Sequence, residues 1–97
     1  MGDYEVHVTE IVDGIRKKGW TSIPFFKTSI HSAKVEASHL VSFRFQRKAG
    51  VPELANKKKW DNISENVWSK TNDKWIIELR FLGERGYEVH KKTTQDN

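Results

Sequence analysis

Cysteine is absent from the 97 residues, which excludes disulfide staples, a thiolate nucleophile and cysteine-ligated zinc or iron–sulfur sites together. Long apolar runs are absent too, so no segment has the length to span a bilayer. The opening MGDYEVHVTE carries acidic residues where a secretory leader needs positive charge and then an apolar run. Gly2 suggests acylation, but Val6 stands where that motif wants Ser or Thr. Paired carboxylates, a nucleophile elbow and a glycine-rich nucleotide loop are missing, and His7, His31, His39 and His90 lack metal-type spacing. No internal repeat or linker is visible. The expectation is one domain over residues 1–97, cytoplasmic, without metal, cofactor, membrane contact or catalysis, and with residues 91–97 as a flexible polar tail.

What the chain does have is polarised charge and four tryptophans. A domain of this size hides only about 60–70% of the surface its unfolded form exposes, so the tryptophans are needed in the core; four exceed what that core requires, and Trp20 or Trp68 is expected to be partly exposed. Net charge is +4. Residues 1–15 hold Asp3, Glu5, Glu10 and Asp13 with no Lys or Arg, giving −4. Residues 16–48 hold eight basic residues against Glu36 alone, giving +7, and residues 49–97 hold nine basic and eight acidic residues, giving +1.

Tyr4, Val6 and Val8 alternate with Glu5, His7 and Thr9, the period of a half-buried strand, and Asp13-Gly14 ends it. Arg16 to Gly19 reads as a charged turn. Trp20 to His31 reads as a second strand, held to an edge or bulged by Pro24. Leu40 to Lys48 reads as the clearest strand, with Val41, Phe43 and Phe45 on one face and Ser42, Arg44, Gln46 and Lys48 on the other. Gly50, Pro52 and Glu53 predict a short helix, and Lys57-Lys58-Lys59 suits its C-terminal end. Asn62 and Glu65 suggest a second helix through a capping-box-like pair. Trp75, Ile77, Leu79 and Phe81 alternate as a strand, although a helix over 73–86 also fits, and Gly83-Glu84-Arg85-Gly86 leads into a return strand over Tyr87–His90. The predicted fold is α+β: a mainly antiparallel sheet of about five strands with one or two short helices between the third and fourth strands.

Basic residues interleaved with aromatics on a sheet face are what single-stranded nucleic acid requires, since cations track phosphates while rings stack on bases. The candidate contact set is Arg16, Lys17, Lys18, Trp20, Lys27, Arg44, Gln46, Arg47 and Lys48, and the partner is nucleic acid or an acidic protein surface. The leading expectation is a non-catalytic nucleic-acid-binding domain. The alternatives are a small regulator or inhibitor of a nucleic-acid-processing protein, of the kind viruses and mobile elements encode, and a metal-independent ribonuclease using histidine. Gly83–Gly86 has the letters of a phosphate-cradling loop but an acid within it, and Asn62-Ile63-Ser64 is a chance glycosylation triplet without other signs of secretion.

Overall fold

The alternation at the start of the chain belongs to a long strand, β1 (Gly2–Val12), with Tyr4, Val6 and Val8 buried on one face. The computed structural model describes residues 1–84, and in it the chain is α+β: a six-stranded antiparallel sheet with two helices between the third and fourth strands. The other elements are β2 (Ile15–Thr21), β3 (Phe25–Lys27), α1 (Ile30–Arg44), α2 (Val51–Ala55), β4 (Asp61–Ser64), β5 (Val67–Thr71) and β6 (Trp75–Gly83). The strand order is β2-β1-β6-β5-β4, and β3 continues the β2 edge by pairing with Gly2–Tyr4. Among the described residues no helix is long and apolar enough to cross a membrane. The proposed Gly83–Gly86 turn, the return strand and the tail lie largely or wholly outside the described residues.

Local chemistry explains the hairpins. Asp13 and Gly14 both adopt positive φ, 52° and 76°, as a two-residue turn matched to strand twist requires. Arg16–Gly19 is not a turn but the body of β2, because that tight turn lets the chain return at once along β1. A bulge between Val8 and Glu10 sets Lys17 opposite Glu10, and Gly19 sits where a Cβ would meet the Val8 carbonyl oxygen at 1.7 Å. The second strand stops at Thr21 and resumes only as the three-residue β3 beyond Pro24, on the expected edge. Asn62 does not cap a helix: its amide donates to the Ser64 and Val67 carbonyls, 2.7 and 3.0 Å, and closes the β4–β5 hairpin. Trp75–Phe81 is strand, with Trp75, Ile77 and Leu79 buried opposite β1.

The largest departure is Leu40–Lys48. Leu40 to Arg44 complete α1, and Phe45 caps it. The helix begins at Ser29, whose hydroxyl accepts from the Ser32 amide at 3.1 Å. Ala33, Ala37 and Val41 then form a stripe with no exposure, laid on the sheet. The strand-like alternation at Val41, Phe43 and Phe45 is a coincidence of a short window, and Phe43 proves to be 76% exposed. The short helix starts as expected at Gly50 with Pro52 in its first turn and Glu53 beside it. Lys57–Lys59, however, follow α2 rather than ending it, so the dipole does not account for them.

Candidate functional site

The helical layer covers one face of the sheet and carries most of the unbalanced charge. Between residues 30 and 59, seven Lys and Arg side chains oppose Glu36 and Glu53, leaving +5, and Glu36 is itself paired with Lys27 at 3.2 Å. Acids on the uncovered face are matched locally: Glu5 with His7 at 2.6 Å and Glu78 with Arg80 at 3.3 Å. His7 also meets the Thr21 hydroxyl at 3.0 Å, so both of its ring nitrogens are engaged. His7 thus links Glu5 on its own strand to Thr21 on the neighbouring one, a polar ladder across β1 and β2.

Two of the predicted stretches do meet. The Arg44 guanidinium lies over the Trp20 ring, 5.7 Å from its centroid, and the Phe45 ring meets Trp20 edge-on at 5.7 Å and Trp75 at 6.2 Å. This contact brings the end of β2 against the end of α1, with Arg44, Gln46, Arg47 and Lys48 exposed around it. Arg16, Lys17 and Lys18 are exposed on the hairpin, where Glu10 faces Lys17 and offsets part of their charge. Lys27 stands apart, paired with Gly2 on β1, six residues or about 20 Å along the strand from the Trp20 position. Trp20 is half-buried and supports Arg44; the freely exposed ring of this region is Phe43. Trp68 is likewise half-buried.

Helical spacing reveals a second group. His31, Val35, His39 and Phe43 succeed one another at intervals of four on α1, and all four are exposed. Beside the first three, between α1 and the segment after α2, lies a cleft of about 390 Å³ whose walls include Lys34, Lys57, Lys58 and Trp60 and no carboxylate. Its support is unusual. Lys70, only 3% exposed, projects from β5 on the core side and donates to the Ser38 hydroxyl at 3.3 Å, to the Ala55 carbonyl at 2.7 Å and to the Lys57 carbonyl. Its ammonium also stands over the Trp60 ring at 4.4 Å. Burial pushes the Lys70 pKa down to about 8. Three acceptors from α1, α2 and the following segment thus converge on one cation, and no carboxylate among the described residues pairs with it.

The cleft is not legible as a site because the sequence pattern reads Trp20 to His31 and Leu40 to Lys48 as strands and signals no helix between them. The spacing of residues 31, 34, 35, 38 and 39 is the signal that a helical reading exposes. Among the described residues no three His, Asp or Glu side chains gather as a metal centre would require. The chain matches no protein-family model, and no curated protein or solved structure shows significant similarity to it.

Proposed function

We propose that this chain is a non-catalytic nucleic-acid-binding domain that lays a strand along the outer face of α1 and the adjoining β1–β2 hairpin. The observation that carries the reading is the exposed row His31, Val35, His39 and Phe43 bordered by cations along its length. Successive members rise about 6 Å along the helix, so the row offers the planar rings of His31, His39 and Phe43 with the aliphatic Val35 between the first two. Lys34, Lys57 and Lys58 flank one end, and Arg44, Arg47 and Lys48 flank the other. Cations beside exposed rings suit phosphate neutralisation with sequence-tolerant stacking. A non-catalytic role is supported by the histidines, since His31 and His39 stand about 12 Å apart along the helix, too far to act together on one phosphodiester. Fluorescence anisotropy with labelled single- and double-stranded oligonucleotides tests the reading. Binding at low salt that weakens steeply as salt rises is expected; no binding at about 50 mM salt sinks it.

A second reading, a small regulator docking on a nucleic-acid-processing protein, is favoured by Ile15 and Ile23, which are 61% and 84% exposed on and just beyond the β2 edge. Serine at both positions, which removes the apolar surface and keeps every cation of the hairpin, would disrupt such docking while salt-dependent oligonucleotide binding persists.

A further inference from the structure

The cleft beside Trp60 gathers three lysines without an acid in its walls, and the backbone of one wall is gripped by the buried Lys70. We infer that it is a single-nucleotide pocket, with Lys34, Lys57 and Lys58 taking the phosphate and Trp60 with the Val35 side packing against the base. The inference rests on the nucleic-acid reading for its choice of ligand, which is either a free mononucleotide or one unit of a strand.

Size is the first argument. A cleft of about 390 Å³ lies within the roughly 300–1,000 Å³ range of sites that enclose small ligands. The second is electrostatic. The cleft gathers Lys34, Lys57 and Lys58 with no acid in its walls, while Lys70 and Asp61 share a separate hollow on the far side of Lys57. An anion in the cleft neutralises the three lysines. The third is preorganisation. Lys70 grips the Ala55 and Lys57 carbonyls, so the backbone that presents Lys57, Lys58 and Trp60 is fixed before ligand arrives. Aromatic surface beside the cations separates a nucleotide from bare phosphate, because a base gains stacking area that phosphate lacks.

The test uses the whole chain and adenosine 5′-monophosphate, with inorganic phosphate and a tetraglutamate peptide as comparison ligands, followed by amide chemical shifts and calorimetry. Saturable shifts confined to residues 31–39 and 55–60 are expected, with affinity for the mononucleotide roughly tenfold or more above that for phosphate. Combined Lys34→Gln, Lys57→Gln and Lys58→Gln substitutions should weaken it by a further factor of about ten, with the exposed pair Lys57→Gln and Lys58→Gln alone as the variant that spares the Lys34 contact with Trp68, whereas Arg44→Gln with Arg47→Gln should not weaken it. Equal affinity for phosphate and nucleotide, shifts elsewhere, or capture of the peptide in preference to the nucleotide overturns the proposal. Oligonucleotide binding that survives the three lysine substitutions while no mononucleotide binds also overturns it but leaves the function proposed above intact. Mononucleotide binding without any oligonucleotide binding does the reverse, and short oligonucleotides displaying the same shifts identify the ligand as part of a strand.

Discussion

The two halves of α1 present their cations differently. Toward its start, Lys34 joins Lys57 and Lys58 around a concavity supported from below by Lys70, because the segment after α2 leans back on the helix. Toward its end, Arg44, Arg47 and Lys48 are exposed beside the 76% exposed Phe43, where the chain leaves the helix at Phe45. A cleft can enclose a ligand and tell one from another. Exposed cations beside a ring can neutralise phosphates and offer stacking, and give affinity without much selectivity.

The sharpest way to break this comparison is at the neighbouring rings of the C-terminal half. Phe45→Ala removes the ring between Trp20 and Trp75 and should cost about 2–3 kcal/mol in urea unfolding. Phe43→Ala two residues earlier should leave stability within about 0.5 kcal/mol while weakening single-stranded oligonucleotide binding by about 1–2 kcal/mol. Equal effects of the two on stability would remove Phe43 from the interface. At the other half, Lys70→Met strips the partner from two buried carbonyls and should cost about 2 kcal/mol, with loss of mononucleotide shifts and retention of salt-dependent oligonucleotide binding. Next comes the exposed patch at the helix end. Replacing Arg44, Arg47 and Lys48 by Gln should lower oligonucleotide affinity about tenfold and flatten the log–log salt slope by about 3, read by anisotropy over a salt series.

The smallest effect is on pH dependence. Lys70 holds its proton less tightly folded, at about 8, than at its ordinary 10.5, so over that window the unfolded chain binds more protons and stability rises with pH. Below pH 8 both forms are protonated and the folded state carries the whole penalty of the buried charge. Burial raises the Tyr4 pKa above its ordinary 10.0, so beyond pH 10 the unfolded chain loses a proton the folded one keeps, and stability falls. Urea midpoints should therefore climb from pH 8 to about 10 and then drop, and Lys70→Met should abolish the climb but not the drop.

Much of the frame was legible before the structure. Tyr4–Thr9 and Trp75–Phe81 read correctly as strands because both put one face on the core and one away from it over several residues, which period two records directly. Pro24 marked the edge, and Gly50 with Pro52 marked α2. The α+β class and the place of the helices between the third and fourth strands also follow from the order of these elements. The candidate site was half legible. Arg44 and Trp20 were named and do meet, yet their supporting geometry is a helix end, and the cleft was missed.

What sequence by itself determined is therefore the charge polarity, the two central strands β1 and β6 and the Asp13-Gly14 turn, each written in a few adjacent residues. Only the tertiary structure decided the state of residues 30–48. Ala33 and Ala37 bury too little area to announce a helix, and Val41, Phe43 and Phe45 imitate a strand; the sheet lying against Ala33, Ala37 and Val41 favours the helical period. That choice turned Phe43 outward, drew Lys34 toward Lys57 and Trp60, and placed Lys70 beneath them, because side chains distant in sequence become a site only when packing sets their common distance.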